Sequence, residues 1–179
     1  VRCCLGRVSW RAIACPVGHD EGVGKLVKVR FALERDADGW PPAESEGLWA
    51  EELEKGLYRL DNTPWFVSGV AADDLVEARP DADGVLWFSR VVKRGRRIVV
   101  RVIPRGDGPL NGDRQAVIRA FESLGVGAEG ASSPVNMVAL DIGHDAPLAS
   151  VKSLLTAGEA DGRWFYDEGC ISEEWRGLS

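Results

Sequence analysis

From residue 25 onward the chain is written in short apolar–polar alternations broken by turn residues, the pattern of half-buried strands. Residues 26–33 form the first such run, and Asp36-Ala37-Asp38-Gly39-Trp40-Pro41-Pro42 stops it with turn chemistry. Residues 47–53 and 57–60 flank Lys55-Gly56, which predicts a hairpin ended by Asp61-Asn62-Thr63-Pro64. Two further runs, at 74–78 and 85–92, are separated by Pro80-Asp81-Ala82-Asp83-Gly84. Five short strands in close succession predict a small antiparallel β-barrel of the SH3-like kind.

The second half has a different rhythm. A strand is expected at 97–103, then a helix with Asp113 as N-cap, Val117, Ile118, Phe121 and Leu124 on one stripe, and Gly125 as its left-handed stop. Strands follow at 126–131 and 136–142. A second helix is expected with Asp145 as cap, Pro147 in its first turn and Leu148, Val151, Leu154 and Leu155 on its buried side. Residues 163–167 close the series as a strand. The order βαββαβ predicts a ferredoxin-like sandwich, so the chain reads as α+β. The expected division is an N-terminal extension over 1–24, the barrel over 25–95, the ferredoxin-like unit over 96–170 and a tail over 171–179. Trp49, Trp87 and Trp164, lying inside strands, are read as core.

Composition changes this picture little. With 179 residues, 45% hydrophobic and 28% charged, the chain is neither a disordered nor a disulfide-stapled sequence. No apolar run approaches the roughly 20 residues a bilayer demands, so no membrane partner is expected. Cysteines at 3, 4, 15 and 170 make no framework, and reduced thiols fit a cytoplasmic setting. The Cys15-x3-His19 spacing lacks a CxxC partner, and Arg7 and Arg11 interrupt any signal-like apolar segment, so 1–24 is read as an extension without chemistry.

Several segments carry a resemblance: Leu48-Trp49-Ala50-Glu51, Tyr58-Arg59-Leu60-Asp61-Asn62-Thr63-Pro64-Trp65-Phe66, Gly69-Val70-Ala71-Ala72-Asp73-Asp74-Leu75-Val76-Glu77-Ala78, Gly84-Val85-Leu86-Trp87-Phe88, and the closing Gly158-Glu159-Ala160-Asp161-Gly162-Arg163-Trp164 with Tyr166-Asp167-Glu168-Gly169-Cys170. Together they resemble an uncharacterised bacterial family, the domain of unknown function DUF4265, over about residues 25–170. The family pattern typically reads Gly-Asp where this chain has Asp73-Asp74, and Phe-Phe where it has Trp65-Phe66. The resemblance implies a domain and no activity.

Candidate chemistry is sparse. Gly125-Val126-Gly127-Ala128-Glu129-Gly130 spells GxGxxG, but it follows a helix and no helix follows it, so it reads as a helix stop and turn; no cofactor is expected. Asp141, His144 and Asp145 lack a third convergent ligand, and no metal is expected. A minor hydrolase-like alternative draws on Asp141, His144 and Glu168, whereas Cys170 has no histidine within sequence reach to lower its thiol pKa. Charge is uneven: residues 34–83 hold 14 acidic and 4 basic side chains, whereas residues 90–105 hold 7 basic ones and no acid. Arg94, Arg96, Arg97 and Arg101 are therefore candidate phosphate or RNA contacts, unless they pair with the carboxylates of the first half. Trp40, Trp65 and Phe66, with Asp61, are candidate protein contacts on the acidic barrel loops. The leading expectation is a non-enzymatic protein-interaction or regulatory module, inhibitor-like or immunity-like, with nucleic-acid binding through 90–105 as the alternative.

Overall fold

The computed structural model describes residues 25–178, so the expected extension over 1–24, with its Cys15 and His19, lies outside the described residues. The chain is a mixed α+β protein dominated by antiparallel sheet. Its first half holds β1 (Leu26–Ala32), β2 (Ser45–Glu54), β3 (Leu57–Leu60), β4 (Leu75–Pro80) and β5 (Leu86–Lys93). The second half runs β6 (Ile98–Pro104), α1 (Arg114–Glu122), β7 (Gly127–Ala131), β8 (Met137–Ile142), α2 (Leu148–Ala160), β9 (Trp164–Cys170) and α3 (Glu173–Arg176).

In the first sheet each strand pairs antiparallel with the next, and β5 returns to β1 through Val29↔Leu86 and Arg30↔Trp87. That last pairing is parallel, against the all-antiparallel expectation. The reason is parity: five strands joined up-and-down leave the first and fifth pointing the same way, so contact between them has to be parallel. Val29, Phe31, Leu48, Ala50, Tyr58, Leu60, Val76 and Ala78 fill the interior. Trp49, read as core, is instead 47% exposed, because inward Leu48 and Ala50 force it outward. Trp87 is also not core; it lies half-buried with its indole N–H donating to Asp81 Oδ2 at 2.8 Å.

The second sheet has the order β7-β8-β6-β9. One face carries Ile98, Val100, Val102, Val138, Leu140, Ile142 and Trp164, packed with Val117 and Phe121 of α1 and Val151 and Leu155 of α2. Asp113 caps α1 as the sequence predicts, its side chain accepting from Gln115 N–H at 2.8 Å. Asp145 does not cap α2. Pro147 occupies that position without a side-chain bond, and Val151 N–H donates to its carbonyl, so a residue lacking its own N–H begins the ladder. Residues after Cys170 are part of the core: Ser172 caps α3, and Trp175 is fully buried.

Candidate functional site: two clefts on one seam

The irregular segment between β3 and β4 lies across the face of the second sheet that the helices leave uncovered. Ala71, Val99 and Cys170 form a small apolar cluster there, and Gly69 N–H donates to Gly169 O at 2.7 Å. Three charged groups hold the seam. Glu46 points inward from β2 and accepts from the backbone N–H groups of Trp65, Phe66 and Val67 at 2.6, 2.9 and 2.8 Å. Asp74, 1% exposed, accepts from Ala71 N–H, Gly95 N–H and Arg94 Nη1. Arg101, 4% exposed, donates to the Phe66 and Val67 carbonyls at 2.9 and 3.4 Å and to Ser68 Oγ at 2.8 Å. Its guanidinium lies where a Cβ on residue 169 would come within 2.5–3.0 Å, so Gly169 is a requirement of the seam.

At one end of the seam, Trp40 and Phe66 meet edge to face with ring centres 5.7 Å apart. They line a cleft of about 530 Å³ together with Leu33, Glu34, Asp36, Arg101 and Asp167. Trp40 is 37% exposed, yet its loop is held: Asp36 Oδ1 accepts from the N–H groups of Asp38 and Trp40, and Arg35 donates to Gly39 O. Trp65 looks elsewhere, into a groove of about 120 Å³ shared with Phe66, Pro134 and Met137. Asp61 joins neither cleft; it is exposed, and its backbone N–H donates to Trp49 O at 2.8 Å. The four protein-contact candidates are thus divided: Phe66 meets Trp40 in one cleft and shares a separate groove with Trp65, and Asp61 joins neither.

At the other end lies a cleft of about 640 Å³ lined by Arg94, Arg96, Arg97, His144, Glu168, Cys170 and the α3 residues Glu173, Glu174 and Arg176. Its cations are mostly committed. Arg94 pairs with Asp74 and donates to Gly69 O. Arg97 grips Asp141 through two bonds of 2.7 and 2.5 Å and reaches Asp73 at 3.5 Å; hydrogen bonding to Asp141 raises its pKa further, against the opposing effect of burial. Arg176 pairs with Glu173. Arg101, grouped with these by sequence, is absent from this cleft and serves as the seam's buried tie. Of the arginines in this cleft, only Arg96, held at φ +65°, makes no side-chain hydrogen bond or ion pair among the described residues.

The minor catalytic grouping is partly assembled. His144 and Glu168 line this cleft, whereas Asp141 is occupied by Arg97, and Glu168 accepts from the Trp175 indole at 2.6 Å. Burial pushes the Cys170 thiol up, Asp74 adds to that, and Arg94 and Arg176 only oppose it, so the sulfur is held as thiol rather than thiolate. Among the described residues no three His, Cys, Asp or Glu side chains are grouped as a metal would need. The GxGxxG motif begins as a helix stop with Gly125 at φ +69° and from Gly127 onward runs within β7, so it opens no helix.

Glu46, Asp74 and the role of Arg101 escape the sequence reading. Glu46 did carry a signal, an acid in the inward phase that Leu48 and Ala50 continue. Asp73 sits at φ +65°, and its carboxylate lies 3.5 Å from Arg97.

A search of curated proteins finds no significant match to the chain. Its fold is similar to that of a hypothetical protein from Neisseria gonorrhoeae, with a TM-score of 0.66 at 16% identity, covering 86% of this chain and 99% of that one. No helix among the described residues is long and apolar enough to cross a membrane. The segments that line the seam, from Glu46 through the 61–74 crossing to β9, fall within residues 46–166 or border them, and it is over 46–166 that the family model for the domain of unknown function DUF4265 matches: the chain belongs to that family.

Proposed function

We propose that the protein is a non-enzymatic docking module, of an inhibitor-like or immunity-like regulatory kind, that binds another protein through the cleft at Trp40 and Phe66. The observation that carries this reading is an indole left 37% exposed on a loop whose backbone is tied down at Asp36 and beside a floor tied down by Arg101. A large aromatic held ready in a cleft is the anchor that protein contacts favour, because little ordering remains to be done on binding. The element order β6-α1-β7-β8-α2-β9 with sheet order β7-β8-β6-β9 supports a ferredoxin-like second half, and five successive short strands support an SH3-like barrel before it. Both serve here as scaffold for the seam. A reduced cytoplasm in a bacterium is the setting this reading assumes. Affinity capture of the full chain from native lysate tests it: a stoichiometric protein is expected with the wild type and lost with Trp40→Ala, and equal capture by both would contradict it.

A second reading, RNA or phosphate binding at the arginine cleft, rests on Arg96, which has no side-chain partner among the described residues and is held at a positive φ. It predicts RNA binding that weakens steeply with salt and falls in Arg96→Ala.

A further inference from the structure

We infer that the Trp40 cleft takes a lysine or arginine side chain of the partner protein, an inference that rests on the docking reading above. Three of the four charged residues that line it are carboxylates. Glu34 makes no side-chain hydrogen bond or ion pair among the described residues, Asp36 engages only its Oδ1, and Asp167 keeps a side chain 66% exposed. Against these three acids stands one cation, Arg101, whose Nη atoms are spent on Phe66, Val67 and Ser68 and whose ion pair with Asp167 is 3.5 Å long. An incoming carboxylate would meet uncompensated negative charge; an incoming cation completes the balance.

The aromatic rings give the same answer independently. Elsewhere in the molecule the exposed rings already carry cations: Lys28 over Trp49 at 5.0 Å and Arg105 over Phe165 at 5.0 Å. Two buried indoles do so as well, Trp175 with Lys152 and Trp164 with Arg163. Trp40 has no such cation among the described residues. Its near-perpendicular contact with Phe66, 77° between planes, makes a corner and not a stack. The aliphatic stem of a lysine or arginine can lie in that corner while its head reaches Glu34 or Asp36.

Selection of random peptides on the full chain, with counterselection on Trp40→Ala, tests the inference. Trp40 is a surface loop residue, and a thermal melt of the variant confirms that its fold is kept. Trp40-dependent peptides are expected to be enriched in lysine or arginine. Replacing that residue by norleucine is expected to weaken binding about fivefold or more, and Asp36→Asn, which keeps the turn-holding oxygen, about threefold. Trp40-dependent peptides that lack a cation, or that tolerate norleucine, would overturn the cationic inference while leaving docking intact. Selection of no Trp40-dependent peptide would overturn both.

Discussion

The two ends of the seam both carry charged side chains and differ in how many of them are already paired. At the arginine cleft, Asp74, Asp141 and Glu173 each hold an arginine, leaving Arg96 as the one cation there without a partner among the described residues. At the Trp40 end the buried charges, Glu46 and Arg101, are consumed in fixing backbone, while Glu34 at the mouth makes no side-chain hydrogen bond or ion pair and Trp40 carries no cation among the described residues. Counting charges along a sequence finds where they are dense. Only the fold says which of them are already answered.

Several changes sharpen that contrast. The largest effect is expected from Glu46→Ala, which strips three backbone N–H groups of their acceptor and should cost about 3–4 kcal/mol in urea unfolding. Arg101→Met keeps the stem volume but leaves the Phe66 and Val67 carbonyls unpaired, for a loss of about 2–3 kcal/mol. Either variant should also loosen Trp40 and Phe66, read as a red shift and greater quenching of tryptophan fluorescence. If Arg101→Met is neutral, the seam is not held as described. At the arginine end, Arg97→Ala should cost only about 1 kcal/mol, since its pairs are partly exposed. Arg96→Gly should raise stability by about 0.5–1 kcal/mol through relief of its positive φ, and leave partner capture unchanged. A loss of capture in that variant would move the functional surface to the wrong end of the seam.

The Cys170 thiol supplies a smaller, pH-dependent check. Because burial raises its pKa in the folded state, the thiol's contribution to stability is complete below the unfolded thiol's pKa, near 8.5, and is lost as pH rises through the higher folded value. Peptide-resolved alkylation near pH 7.5 should therefore modify Cys170 much more slowly in the folded protein than in urea. Rapid labelling in the fold would contradict the buried thiol.

Much of the architecture is legible in the chain because its causes are local. The Lys55-Gly56 hairpin, the Asp113 cap and the Gly125 stop depend on residues a few positions apart. Trp49 is equally legible, since the alternation that buries Leu48 and Ala50 turns it outward, and strand parity outweighs the preference of a large aromatic for the core. Asp145 has the side chain of a cap, but the helix starts at the proline two residues on. What could not be read is the seam. Arg101 stands in an apolar run and looks like one more member of a basic segment, because its partners, Phe66 to Ser68, lie 33 to 35 residues away and meet it only after both sheets have formed. Trp40 and Phe66 are likewise joined by tertiary packing alone.

The central claim is that a partner protein is engaged at Trp40 and not at Arg96. Photo-cross-linking in cells tests it directly, with benzoylphenylalanine placed in the full chain at position 38, exposed beside Trp40, and separately at position 96. The account predicts a discrete protein adduct from 38 and none from 96. An adduct from 96 alone, or none from either position, would contradict it.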